Sequence, residues 1–290
     1  MSVAPKTARN NRWLLEHAAN VTSQNGEDGI IAKILEVIGT PCGWCVEFGA
    51  WDGRYLSNTH NLIANRGFYA VMIEGSAKRF RDLEAAFKGN SKVYPVNAFV
   101  GFTEADGLDA ILARTPIPED FDVLSIDIDG NDYHVWNAVT RYRPRVVVIE
   151  YNPTIPTAID FVQPPDLSIN QGASITALNR LAAQKGYELV AVTTHNCLFV
   201  RRDYFAAFGI EDNSVASLRA DESMVTYIFN GFDGTVFIRG YGALGWHGVP
   251  YREKRMQLIA RTFRRFPDTL GPVMKVLAKH YRSLKKRGFI

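Results

Sequence analysis

The chain has 290 residues, 47% of them apolar and 22% charged, with 23 Gly and 13 Pro. That is ordinary globular usage: it disfavours a disordered, collagen-like or membrane-spanning chain, and the length buries a core without disulfides or a structural metal. The net charge of +3 conceals an asymmetry, because residues 251–290 carry twelve Lys/Arg against two acids while the other 250 carry 21 Lys/Arg against 28 Asp/Glu.

No apolar run reaches the ~20 residues of a membrane span. The first twelve residues are polar and offer no secretory signal. Three cysteines make no disulfide framework, so a reducing, cytoplasmic location is expected.

In chain order, residues 1–40 read as an N-terminal helical cap. Ile30, Ile31, Ile34, Leu35 and Ile38 recur at helix spacing, and Ser23 is a candidate N-cap before them. Over residues 41–210, short apolar runs alternate with helix-like stretches. Strands are expected at 45–48, 69–73, 92–96, 123–128, 146–149, 187–192 and 197–200, and helices around 59–64, 78–87, 105–112, 133–139 and 174–184. Continuous apolar strands between helices imply a parallel sheet covered on both faces. The last two strands leave no room for a helix between them and are expected to pair as an antiparallel hairpin. The fold class is therefore α/β, a doubly wound, Rossmann-like, seven-stranded and mostly parallel sheet ending in that hairpin. The polar, Pro-containing stretch 152–172 follows a strand end, where long loops cover ligand crevices. Residues 211–250 read as an additional substrate-side segment, with a small hairpin over 225–229 and 235–238, and residues 251–290 as a basic helical tail.

The strongest chemical signal is Val46-Glu47-Phe48-Gly49-Ala50-Trp51-Asp52-Gly53. A strand ends in an acid and turns through two glycines four apart. In an open α/β sheet, ligands sit outside the carboxyl ends of the strands. Gly49 and Gly53 would let the backbone approach a ligand closely. The run is not G-x-G-x-x-G, and Glu47 and Asp52 would repel a pyrophosphate, so a cationic ammonium or sulfonium suits the loop better. Glu74 ends the second strand, where a carboxylate can accept both hydroxyls of a ribose; capping the next helix is its plainer role. Asn97 ends the third strand and could meet an adenine edge.

With VEFGAWDG, VMIEG, LSIDIDGND, VVVIEYN and CLFVRRDYF on the page, the sequence resembles the S-adenosylmethionine-dependent methyltransferases, and more closely the FkbM type, over roughly residues 20–210. The resemblance implies that Glu47, Gly49, Asp52 and Gly53 line the methionine moiety, that Glu74 holds the ribose, and that Ser23, Gln24 and the rest of SQNGEDG close over the cofactor. It implies O-methylation of a sugar, glycoconjugate or related natural product.

Asp127 and Asp129 are expected on one side of the fourth strand, with Glu150 and Asn152 at the end of the next. Together they are hard oxygen ligands suited to Mg²⁺ or Mn²⁺; capping helices without any metal is the bland alternative. Asp127 is also the expected catalytic carboxylate and a cofactor contact. A metal would acidify an acceptor hydroxyl; otherwise a histidine or carboxylate must take the proton. Of His134, His195 and His247, the last follows Trp246 in a Gly- and aromatic-rich segment and is the candidate catalytic base. Cys42 and Cys45 form a C-x-x-C before a strand, lacking the helix terminus that activates such a pair, and read as structural.

The tail repeats Val273, Val276, Leu277, His280, Tyr281 and Leu284 on one helical face, with basic residues largely elsewhere. Such a helix either docks its apolar face on the body or at a subunit interface of a homo-oligomer, or lies on an anionic membrane; docking is the preferred reading. The acidic body argues against nucleic acid, leaving a small molecule or glycan as acceptor. The competing functions are a nicotinamide-dependent oxidoreductase, opposed by the missing dinucleotide fingerprint, and a non-catalytic scaffold anchored through the tail.

Overall fold

The computed structural model describes residues 10–288, so residues 1–9 of the expected cap lie outside it. The chain divides into two units, one reaching to Glu222 and the other starting at Ser223, rather than at 210 and 250.

The first unit is built on a seven-stranded sheet. A helix α1 (Glu27–Ile38) precedes β1 (Trp44–Phe48), α2 (His60–Arg66), β2 (Tyr69–Glu74), α3 (Ala77–Ala86), β3 (Val93–Asn97) and α4 (Leu108–Leu112). Then follow β4 (Val123–Ile126), α5 (Asp132–Ala138), β5 (Val146–Glu150), α6 (Ile175–Gln184), β6 (Tyr187–Val192), β7 (Asn196–Arg201) and two single turns, α7 (Arg202–Phe205) and α8 (Val215–Leu218). The spatial order is β3-β2-β1-β4-β5-β7-β6. Strands β1 to β5 run parallel, and β7 lies antiparallel between β5 and β6. The expected hairpin thus tucks its second strand inside the sheet. Its apolar run Cys197–Val200 is wholly buried, which an edge strand would not permit.

Continuous burial explains the strand pattern: Val146, Val147, Val148 and Ile149 all lose their water to layers on both faces. The helix expected near Ile30 packs Ile30, Ile31, Ile34 and Leu35 into the same core, and the Trp13 indole N–H donates to the Phe208 carbonyl at 3.1 Å. The cap segment is therefore part of the core unit. Ser23 is not the N-cap; Gly26 is, at φ 92°, although Ser23 Oγ still accepts from the Asp28 N–H at 3.0 Å.

Strand β4 stops at Ile126, short of the expected 128. The Asp132 carboxylate captures the Ile128 and Gly130 N–H groups, both at 2.9 Å, and pulls the chain into a turn. Asp127 and Asp129 are consequently brought together by that turn, not by strand alternation.

At the opposite edge of the sheet, buried Asp122 pairs with Arg145 at 3.0 Å and accepts from the Gly43 and Trp44 N–H groups. This network ties the entry of β1 to that of β5; losing Arg145 would strand the Asp122 charge away from water, whereas Arg145 has a second partner in Asp120 at 2.7 Å. Cys45 and Cys197 are fully buried, which pushes both thiols up and keeps them inert; Cys42 is only partly covered.

The second unit contains a hairpin of β8 (Thr226–Asn230) and β9 (Val236–Gly240), with Phe229 opposite Phe237, and a helix α9 (Pro272–Lys286). Helix α9 packs through only one edge of the expected face. Half-buried Tyr281 turns inward with buried Ala278, which lies outside that face, the Tyr281 ring lying 4.9 Å from Phe263 and its hydroxyl accepting from the Ala260 N–H at 3.1 Å. Among the described residues, no helix is long and apolar enough to cross a membrane.

Candidate active site

The strand order reverses between β1 and β4, and a crevice of about 610 Å³ opens there at the carboxyl ends of β1, β2 and β4. Four of its lining residues are acids (Glu47, Glu74, Asp127, Asp129) and a single one, Arg79, is a cation.

Glu74 is the pivot on the β2 side. Its Oε2 accepts from the Trp51 N–H at 2.9 Å and its Oε1 from the Ser76 N–H at 2.7 Å. Each oxygen therefore holds one backbone donor and keeps a lone pair for another. The Arg79 guanidinium lies 3.7 Å from the centre of the Trp51 ring, and Tyr55 tilts against that ring at 5.1 Å. Phe99 stands 77% exposed over Gly75, where an added Cβ would meet its ring at 2.5 Å.

The backbone is strained here. Trp51, Leu56 and Asp129 are the non-glycine residues at positive φ among those described, and all three line the crevice. Such conformations cost roughly 1–3 kcal/mol each and persist where the surroundings impose them.

On the β4 side, Asp127, Asp129 and Glu150 bring one oxygen each within 4.8 Å of one another. Burial, then the charges of Asp132 and Asp129, push Asp127 up to about 8. Burial, then Asp127, raises Glu150 well above the carboxylate range. Burial and neighbouring charge thus favour the protonated forms of Asp127 and Glu150. Beside these acids, Asn131 lines the crevice and donates its amide to the Asp166 and Ile169 carbonyls at 3.1 and 3.3 Å, leaving its Oδ1 buried without a partner.

The other expected site residues fall elsewhere. Glu47 lines the wall, but its carboxylate is spent on the Ser57 hydroxyl, the Asn58 N–H and the Thr59 hydroxyl; burial raises it, and these bonds lower it. Gly49 lines the crevice at φ 74° because a Cβ would sit 2.0 Å from the Asp127 carbonyl. Gly53 does not line it. A Cβ there would strike the Phe87 ring at 2.3 Å, so this glycine serves the packing of α3. Asp52 is a turn cap, accepting from the Arg54 and Tyr55 N–H groups, and is not among the lining residues. Asn97 is drawn back by donating to the Glu74 carbonyl at 2.7 Å.

Ser23 and Gln24 do not line the crevice either. Their segment is knotted on itself, Asp28 Oδ2 accepting from three successive N–H groups at residues 21–23. It spans the rim from Thr22, which donates to the Ser57 carbonyl, to Asn25, which meets His195 Nδ1 at 3.1 Å. Asn152 is committed to its own loop: Oδ1 accepts from Thr154, and Nδ2 donates to the Gln171 carbonyl at 2.8 Å. His134 bonds the Gln163 carbonyl at 2.8 Å and is structural, whereas His247 is exposed in the second unit.

The loop over 152–172 is a fixed shelf. Buried Gln163 accepts from the Gln171 and Gly172 N–H groups, and buried Arg219 donates to the Pro153 and Ile155 carbonyls. Leu167 and Asn170 reach from it into the crevice.

The strand order, with β7 reversed, decides the architecture. It is the Rossmann-like methyltransferase fold. Among solved structures the chain is similar to the O-methyltransferase from Bacillus cereus in complex with SAH, at 16% identity over 69% of this chain and 82% of that one, with a TM-score of 0.41. It is similar to a SAM dependent methyltransferase from Aquifex aeolicus (12%, 58% and 87%, TM-score 0.35) and to the CcbJ methyltransferase from Streptomyces caelestis (11%, 67% and 97%, TM-score 0.39). No family model and no curated protein matches the chain. These likenesses are too slight to carry function, which is argued from the crevice.

Proposed function

We propose that the chain is an S-adenosylmethionine-dependent O-methyltransferase of FkbM type, acting on a hydroxyl of a sugar, glycoconjugate or related natural product with the help of a divalent ion. One observation carries the reading. At the switch point, Glu74 lines the crevice with each carboxylate oxygen holding a single backbone donor, while Asp127 and Asp129 line it from the β4 side.

The donor's contribution is an electrophilic methyl group on a positively charged sulfur. The residues present fit it. Glu74 is placed to accept two ribose hydroxyls, Gly49 keeps the wall free of a side chain, and Phe99 and Trp51 offer aromatic faces of the kind an adenine ring stacks on. Asp127 and Asp129 line the side left for the acceptor, with Asn131 beside them.

Asp127, Asp129 and Glu150 would hold Mg²⁺ or Mn²⁺ through hard oxygens, and the chemistry such an ion supplies is a lower pKa for a hydroxyl beside it. Three carboxylates whose oxygens lie within 4.8 Å of one another fit a cation better than they fit water. Without such an ion, Asp127, pushed up to about 8, would be matched to receiving the acceptor's proton. Alignment of the hydroxyl by the shelf and Asn131 would supply much of the acceleration, since well-oriented reactants gain roughly 7–11 kcal/mol.

The test is transfer of a labelled methyl group from S-adenosylmethionine to a panel of sugars and glycosides, with and without Mn²⁺. Label in a methyl ether that depends on the acceptor is expected, with Asp127→Asn strongly impaired. No transfer to any hydroxyl by protein that binds the donor would overturn the acceptor class.

A further inference from the structure

The second unit carries a surface that the crevice does not use. Residues 223–290 hold thirteen Lys/Arg against three acids, a net +10. Of the 22 large apolar side chains that stand exposed among the described residues, 14 lie in these 68 positions, which are under a quarter of the chain. A water-soluble surface rarely gathers exposed apolar groups this densely without a partner.

Helix α9 shows how the two properties are arranged. Its inward side is spent on Ala278 and on Tyr281, which packs against Phe263. At about 100° per residue, Val273, Val276 and Leu277 fall on a second side, continued by His280 and Leu284. Those three stand 72%, 68% and 50% exposed. Lys275, Lys279, Arg282 and Lys286 fall on a third side, at intervals of four, three and four. The helix is thus amphipathic a second time, beyond the contact that fixes it to its own unit.

We propose that residues 223–290 form a peripheral membrane-binding unit whose α9 seats Val273, Val276 and Leu277 in an anionic bilayer. The charge selects this occupant. A surface of +10 is drawn to acidic headgroups, and long basic side chains extend to them while the aliphatic groups enter the acyl boundary. A second copy docking through the same unit would bring +10 against +10. Nucleic acid satisfies the charge and could stack on exposed Phe232 or Trp246, but it gains nothing from the valine and leucine stripe of α9, which has no aromatic face.

The experiment is co-sedimentation of the full chain with phosphatidylcholine vesicles, alone or containing roughly 30% phosphatidylglycerol. Binding to the anionic vesicles is expected, and none to the neutral ones. It should weaken as salt rises from ~0.1 to ~1 M and the screening length falls from ~10 to ~3 Å. Replacing Lys275, Lys279 and Lys286 together by Gln should lower partitioning about a hundredfold, at about fivefold per charge. Replacing Val273, Val276 and Leu277 together by Ser should lower it at least about tenfold. Because these side chains are exposed, circular dichroism should be unchanged. As an independent reading, a polarity-sensitive dye on Val276→Cys should shift to the blue on anionic vesicles. Failure to sediment with anionic vesicles, equal binding to neutral ones, or a dye that stays in water would overturn the assignment. So would oligonucleotide binding that depends on the lysines alone, or a dimer dispersed by the serine variant without any vesicle binding.

Discussion

Glu74→Ala is the sharpest perturbation of the crevice. In the native chain each Glu74 oxygen holds one backbone N–H, from Trp51 at 2.9 Å and from Ser76 at 2.7 Å, and keeps a lone pair toward the opening. Hydrogen bonds to a charged acceptor contribute about 1.5–3 kcal/mol each. Two ribose hydroxyls lost together therefore weaken S-adenosylhomocysteine by at least about a hundredfold, at roughly 1.4 kcal/mol per decade. Glu74→Gln keeps one acceptor oxygen and turns an NH₂ group toward a backbone N–H, so about tenfold is expected. Alanine also leaves two backbone donors at the crevice edge, costing roughly 1–3 kcal/mol of stability.

Calorimetric titration of both variants, with thermal melts alongside, measures these effects. Repositioning of Trp51 is separated from loss of the ribose contact by 2′- and 3′-deoxy analogues of the ligand. Each should bind the native chain more weakly, and the penalty should vanish in Glu74→Ala. Native affinity in Glu74→Ala, or a deoxy penalty that survives it, would refute the role given to this carboxylate.

Other consequences follow from the placement of the remaining groups. Gly53→Ala drives a methyl group into the Phe87 ring at positive φ and should cost about 1–3 kcal/mol in urea unfolding while leaving S-adenosylhomocysteine affinity unchanged. A loss of affinity beyond the loss of stability would return Gly53 to the ligand. Mn²⁺ titration followed by electron paramagnetic resonance should show Asp127→Asn and Asp129→Asn binding at least about tenfold more weakly. Asn152→Ala should bind Mn²⁺ as the native chain does, because its amide is held by the loop. Burial holds the His195 imidazole below its usual value, so on acidification the unfolded chain takes that proton first. Stability should fall as pH drops below about 6.5, and less steeply in His195→Gln; unfolding curves of equal slope would contradict the burial of this ring.

The sheet was legible because its strands are buried on both faces and written as unbroken apolar runs, 146–149 being the plainest. The acid at each strand end was legible too, since Glu47, Glu74 and Glu150 all fall there. What each carboxylate does was not. Glu47 and Asp52 look alike in a string, yet both are consumed by hydrogen bonds to residues 54–59, and only the folded turn reveals it.

Spacing could not separate Gly49 from Gly53 either, because one is pressed by a neighbouring strand's carbonyl and the other by a phenyl ring. The crevice residues that escaped notice came from neighbouring turns: Trp51 inside the motif, Tyr55 just after it, Arg79 from α3, Phe99 from beyond β3, and Asn131 from the start of α5. An aromatic between two glycines was the available hint for Trp51. For Asn131 none existed, since its free oxygen results from the shelf taking its NH₂ group. In the tail a helix was legible from the spacing of Val273, Val276 and Leu277, though only Pro272–Lys286 forms α9. Its buried side was legible only in part, because the contact uses Tyr281 from the expected face together with Ala278 from outside it.

Whether the acidic rim receives a sulfonium donor is decided most directly by titrating the native chain with S-adenosylhomocysteine, S-adenosylmethionine and NAD in one calorimeter. Saturable one-to-one binding of both adenosyl ligands, tighter for the cationic S-adenosylmethionine when no metal is present, and no heat with NAD, is the expected result. Folded protein that binds neither adenosyl ligand, or that binds NAD in their place, would contradict it.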